Sequence, residues 1–145
     1  FHLALDGSPF DQSSAAGLLM AVVLCVPLHE ALHGIVHPGA GTSPYTVAGV
    51  LKPQGLPYCV YTKSHSRQRA LLVLVAPFTL MTVVPVMLAF AGRCPPELAV
   101  LAVLNAAGSA GDLLIAARLL TRVPPGAFVG YDRGQLLIFR RCLTD

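Results

Sequence analysis

The chain has 145 residues, 54% of them hydrophobic and only 12% charged, with a formal net charge of +3 at neutral pH. An ordinary soluble domain is about one quarter charged. Here the deficit comes from three long stretches almost without charge, which favours one membrane-embedded domain over a soluble globular one. The positive charge is too small and too scattered to serve a nucleic-acid partner.

Phe1 rather than Met opens the sequence, which leaves room for a longer or processed chain. Residues 1–14 are mixed, with Asp6 and Asp11 and no Lys or Arg, and Ser13 or Ser14 is the expected N-cap of the first helix. Residues 15–36 form the first expected span, long enough as a helix to cross about 30 Å of hydrocarbon. A signal peptide is rejected there, because the basic leader is missing and His29, Glu30 and His33 interrupt the run. Pro27 is expected to kink this helix, and Pro38-Gly39 to end it.

Residues 39–69 are the main segment outside the membrane, a β-rich loop. Tyr45–Leu51 and Tyr58–Thr62 are rich in β-branched and aromatic residues around the turn-forming Lys52–Pro57, which predicts a two-stranded hairpin. A basic approach, Lys63–Arg69, leads into the second span, residues 70–91, where Pro77 and Pro85 are tolerated if neighbours satisfy the freed carbonyls. Arg93–Glu97 is a tight connection to the third span, residues 98–120. In the tail, residues 121–145, Phe128–Tyr131 and Gln135–Phe139 flank Asp132-Arg133-Gly134 and predict a second hairpin. The expected fold is mainly α: a polytopic membrane protein with three transmembrane helices and small cytoplasmic β-hairpins, in a single domain over 1–145.

Basic residues set the expected orientation. Lys52, Lys63, Arg67 and Arg69 lie in the first loop and Arg122, Arg133, Arg140 and Arg141 in the tail, whereas the second loop has only Arg93. The positive-inside rule puts the first loop and the C-terminus in the cytoplasm and the N-terminus outside. A prokaryotic cell membrane is the expected location. Cys25, Cys59, Cys94 and Cys142 show no C-x-x-C spacing and are expected to be unpaired small apolar residues.

The chemistry concentrates in His29-Glu30-Ala31-Leu32-His33, an H-E-x-x-H motif inside the first span. On a helix His29 and His33 stand one turn apart on one face and can hold one Zn²⁺ together. Glu30 is rotated away, which suits a base acting on water better than a third ligand. A catalytic zinc needs a third protein ligand. An ionisable group inside a span costs about 2.5–3.5 kcal/mol and is a functional candidate by default. Outside the motif the interior of the spans offers Asp112, since Arg118 lies near a helix end where it can snorkel. His29 precedes the end of its span by seven residues and Asp112 by eight, which places both roughly 10–12 Å below the same surface. Asp112 is therefore the expected third ligand.

Gly108, Ser109 and Gly111 are small enough to let the third helix approach the first. Asn105, two turns from Asp112, is expected to hydrogen-bond a substrate carbonyl or oxyanion, and Ser109 to orient the carboxylate. His37 is expected at the membrane interface, Glu97 at the opposite surface from His29, and His2 and His65 in solvent.

H-E-x-x-H in a first membrane helix, a β-rich cytoplasmic segment, a basic stretch leading to Ala76-Pro77-Phe78, Pro85, and the run Asn105-Ala-Ala-Gly-Ser-Ala-Gly-Asp112 resemble the putative zincin peptidases. These membrane proteins are related in plan to the site-2 proteases. The resemblance runs from about residue 20 onward. Two departures from the site-2 pattern are plain: no Pro lies between Asn105 and Asp112, and their spacing is one residue shorter. The resemblance implies zinc-dependent hydrolysis of peptide bonds in or near the membrane, with a membrane protein or peptide as substrate. A scaffold that keeps the polar residues without turnover, and a metal-binding or transport module using the same ligands, are the alternative functions.

Overall fold

The computed structural model describes residues 12–53, 55–132 and 135–139. The N-terminal segment with His2 and the tail residues Arg133, Arg140, Arg141 and Cys142 lie outside the described residues. Helix α1 runs over Gln12–Val36 without interruption through Pro27. Ser13 and Ser14 fall inside its first turn. A continuous helical stretch, Arg67–Phe90, is the second segment long and apolar enough to cross a membrane. It consists of α2 (Arg67–Phe78), a π-helical turn (Thr79–Val83) and α3 (Val84–Phe90). Pro85 has no N–H to give to the ladder, and just before it Val84 N–H reaches back five residues to the Thr79 carbonyl. The Ser66 side chain caps the start of α2 by accepting from Arg69 N–H at 3.3 Å.

The third expected span is corrected from one helix to a bent pair. Helix α4 (Pro96–Gly108) and helix α5 (Ala110–Arg122) meet at 50°. Gly108-Ser109 sits at the break, the kind of pair at which helices kink sharply. Among the described residues two helices are long and apolar enough to cross a membrane, or three if the bent pair counts as one span.

Both predicted hairpins are present. Strands β1 (Thr46–Leu51) and β2 (Leu56–Tyr61) pair antiparallel, with Thr46 opposite Tyr61 and Leu51 opposite Leu56. Strands β4 (Phe128–Asp132) and β5 (Gln135–Phe139) form the tail hairpin, and β3 (His65–Ser66) adds a short third strand beside β4. The basic approach to the second span thus contains a strand the periodicity did not reveal.

This sheet is bolted to the helices. Arg67 N–H donates to the Ala127 carbonyl at 2.9 Å. The Arg67 guanidinium donates to the Leu119 and Leu120 carbonyls, both at 3.1 Å, near the C-terminus of α5 where a cation is favoured. Ala70, Leu74, Ala116, Leu119, Val123, Ala127 and Val129 form the buried core beneath it. Elsewhere the helices leave large apolar side chains uncovered, with Phe90 87% and Val103 71% exposed, as lipid-facing surfaces require.

Candidate metal centre

Helix α1 packs against α4, α2 and β2, and this brings its motif to the bend between α4 and α5. His29 and His33 present their Nε2 atoms 3.1 Å apart, as i and i+4 side chains on one helical face. Asp112, in the first turn of α5, places Oδ2 3.0 Å from His29 Nε2 and 3.3 Å from His33 Nε2. Tetrahedral zinc with bonds of about 2.0–2.1 Å holds its ligand atoms about 3.3 Å from one another. The three atoms fit that ion. His33 also shows the tautomer a ligand needs: its Nδ1 lies 2.9 Å from the Val73 carbonyl, which can only accept, so Nδ1 carries the hydrogen. Its Nε2 lone pair and the Asp112 carboxylate then face each other as two acceptors at 3.3 Å, which a cation between them would reconcile.

Glu30 also lies near the histidines, the nearest ligand atoms of all three being within 4.8 Å of one another. Its Oε2, however, accepts from the Cys59 backbone N–H at 2.8 Å. The register explains why that donor is free. Thr62 N–H bonds to the Tyr45 carbonyl, so by the alternation of antiparallel strands Val60, Tyr58 and Leu56 bond inward to β1. Pro57, Cys59 and Tyr61 turn their backbone groups outward, and proline, which has no N–H, suits that outward edge. Glu30, His33, Asp112 and the outer edge of β2 line one cavity of about 300 Å³, with Val73 and Leu74 of α2 opposite.

Asn105 is placed differently from its expected role. It is 1% exposed. Its Oδ1 lies 2.8 Å from His29 Nδ1, and its Nδ2 donates to the Pro77 carbonyl at 3.0 Å and to Thr82 Oγ1 at 2.9 Å. Both amide hydrogens are spent inside the helix bundle, so the residue offers none to a substrate oxyanion. Ser109 is fully buried at the bend, and its Oγ has no hydrogen-bond partner among the described residues, so it does not orient Asp112. The close approach of helices is not at Gly108 or Gly111, where an added Cβ would meet nothing within 4 Å. It is at Gly17, where a Cβ would stand 2.7 Å from Glu97 Cγ; at Gly34, where it would stand 3.0 Å from Cys59 Sγ, α1 approaches strand β2 instead. Glu97 therefore rests on α1 twelve residues before His29, about 18 Å along the helix, and takes no part in the site.

His65 is buried, not solvated, at 8% exposure. It stands edge-on to Tyr61 with ring centres 5.5 Å apart, and His37 stacks against Tyr61 at 5.6 Å and stands edge-on to His65 at 6.4 Å. Burial pushes the His37 imidazole down to about 4, helped by the neighbouring His65, and burial likewise lowers His65. Burial and then the Glu30 charge push the Cys59 thiol up. Among the described residues Cys25, Cys59 and Cys94 form no disulfide.

A family described as putative zincin peptidases matches residues 22–128. The chain belongs to this family. The match begins within α1 ahead of His29 and ends at the start of β4, so it takes in the motif, Asn105 and Asp112. No curated protein and no solved structure matches the chain. The family implies zinc, and the donor set converging at the bend suits it. What the sequence did not reveal is the surround. The Val73 carbonyl, the Cys59 N–H and Thr82 are each far along the chain from what they touch, and two of the three are backbone groups common to every residue.

Proposed function

We propose that the protein is a zinc-dependent endopeptidase that cleaves membrane-associated polypeptides, with His29, His33 and Asp112 as metal ligands and Glu30 as the general base. The observation that carries this reading is the convergence of His29 Nε2, His33 Nε2 and Asp112 Oδ2 within 3.0–3.3 Å beside a cavity that also holds Glu30. A zinc ion held by His29, His33 and Asp112 would supply a Lewis acid, polarising the scissile carbonyl and lowering the pKa of water so that it gives up a proton near neutral pH. Glu30 takes one proton from the attacking water as its oxygen bonds to the carbonyl carbon. It then gives that proton to the amide nitrogen as the C–N bond breaks, leaving an amine and a carboxylic acid, which gives its remaining proton to the amine or to water and ends as a carboxylate. The Cys59 N–H holds one Glu30 oxygen and aims the carboxylate into the cavity.

The substrate reaches this base in an extended form, because a helix keeps its carbonyls hydrogen-bonded. Glu30 already takes the Cys59 N–H on the outward edge of β2, so a peptide laid along Pro57–Tyr61 would pair with the other backbone groups of that edge as it runs past Glu30 and the metal ligands. The first loop and the C-terminus face the cytoplasm in this reading, and the site lies below that surface.

Zinc content and hydrolysis of a candidate membrane substrate by the purified full-length protein test the assignment together. Glu30→Gln should keep zinc at the wild-type level and lower hydrolysis by about 10²-fold or more. Asp112→Ala should lose most of the zinc. Cleavage that survives Glu30→Gln removes the base, and zinc retained by Asp112→Ala removes the third ligand. A chain that binds zinc and is indifferent to Glu30 in every assay would be a metal-binding module instead.

A further inference from the structure

The hydrogen bonds around Asn105 form a chain whose every direction is set by two backbone carbonyls. Thr82 Oγ1 lies 3.2 Å from the Ala102 carbonyl, which can only accept, so the Thr82 hydroxyl hydrogen points there and its lone pairs are left for Asn105. The Pro77 carbonyl, 3.0 Å from Asn105, also can only accept. Whichever end of the Asn105 amide faces Pro77 and Thr82 must therefore be the NH₂ end. This leaves the amide oxygen facing His29 Nδ1 at 2.8 Å. An oxygen without hydrogens requires a donor, so His29 carries its hydrogen on Nδ1 and turns a bare Nε2 lone pair toward His33 and Asp112.

We infer that Asn105 is a positioning residue for the metal centre: anchored through Pro77 and Thr82 on the second span, it fixes the tautomer and ring plane of His29. The inference rests on the proposed metal site but is tested apart from it. Three elements converge on this amide: α4, which carries it, α1, which carries His29, and the π-helical turn with its preceding proline. Asn105 is 1% exposed and Thr82 8%, so water does not compete for either group. The same device serves His33 through the Val73 carbonyl on α2, so both histidines are held by the second span. A polar partner on the far nitrogen of a metal-binding histidine is worth about 10–100-fold in metal affinity.

Two measurements on the full-length protein in detergent test this. The first is the imidazole nitrogen NMR spectrum of metal-free protein, read at His29 by comparison with His29→Ala. Wild type should show Nδ1–H, and Asn105→Leu should lose that preference and give a mixture of tautomers. The second is zinc affinity by competition with a chelator. Asn105→Leu should bind zinc about 10–100-fold more weakly. Asn105→Asp keeps an acceptor for His29 while giving up the donors to Pro77 and Thr82, so it should keep the Nδ1–H tautomer and bind zinc more tightly than Asn105→Leu. Thr82→Val removes one anchor and should weaken binding by a smaller factor.

An unchanged His29 tautomer in Asn105→Leu overturns the inference. So does equal loss of zinc in the Leu and Asp variants, which would make the role one of packing. If wild type binds no more zinc than His33→Ala, the metal assignment fails, and the tautomer measurement still decides the role of Asn105.

Discussion

His37 is 6% exposed, and neither of its ring nitrogens has a hydrogen-bond partner among the described residues. Held at about 4 by burial, its imidazole stays neutral in the folded chain at a pH where the unfolded chain, near 6.5, already takes a proton. The unfolded state therefore binds more protons between these two values, and stability falls as pH falls through that window while being fully present above it. His65, His33 and Arg69 oppose a charge on this ring, and the Cys59 backbone, which favours one, offsets only part of the burial. The loss from this one group is on the order of 2–3 kcal/mol by pH 4. The melting temperature of wild type in detergent should thus drop more steeply from pH 6.5 to pH 4.5 than that of His37→Phe. Parallel slopes would place the acid sensitivity in another group.

At this scale His29, Glu30, His33 and Asp112 were legible because charge is costly in a long apolar run, so each exception points to a role. The parts played by Asn105, His37 and His65 were not. A buried amide and a solvent-facing amide have the same letter, and only the Pro77 and Thr82 contacts, 28 and 23 residues away, distinguish them.

Among elements, the three apolar stretches announced themselves by length and composition, and the two hairpins by β-branched residues around turns. The bend between α4 and α5 did not, since small residues such as Gly108-Ser109 are also at home in straight membrane helices. Its consequence is local: Asp112 leaves the axis of α4 and starts a new helix aimed at α1. The glycines of this region therefore carry less packing than their number suggests. Gly111→Ala fills open space in a helix and should raise stability by about 0.5–1 kcal/mol. Gly34→Ala pushes a methyl group against Cys59 Sγ, 3.0 Å away, where α1 meets β2, and should cost about 1 kcal/mol. The double change Gly34→Ala with Cys59→Ala should recover most of that. Thermal unfolding monitored by helical circular dichroism reads all three, and a Gly34→Ala protein as stable as Gly111→Ala would show that the hairpin does not press on α1 there.

For the whole molecule, the uncovered apolar faces of α1, α3 and α4 agree with a bilayer, while the described hairpins cluster with the helix ends nearest the metal ligands. Among the described residues Lys52, Lys63, Arg67, Arg69 and Arg122 adjoin those helix ends in the chain's order and Arg93 adjoins the opposite ends, which is the physical basis of the proposed orientation. In that orientation the three helical stretches carry the chain across in alternation, so the connection holding Cys94 emerges opposite the connection holding Lys52. Three positions are accessible enough to label: Lys52 and Pro125 are exposed and Cys94 partly so. In cells treated with a membrane-impermeant thiol reagent, a variant keeping only Cys94 should be modified without lysis. Cysteine-free variants carrying Lys52→Cys or Pro125→Cys should be modified only after the membrane is opened. The reverse pattern at all three sites inverts the protein in the bilayer and puts the metal centre near the outer surface. Labelling of Cys94 and Pro125→Cys in intact cells, with Lys52→Cys protected, would mean that the bent pair α4–α5 enters and leaves on one side. Asp112 would then reach the histidines from a re-entrant loop rather than from a third span.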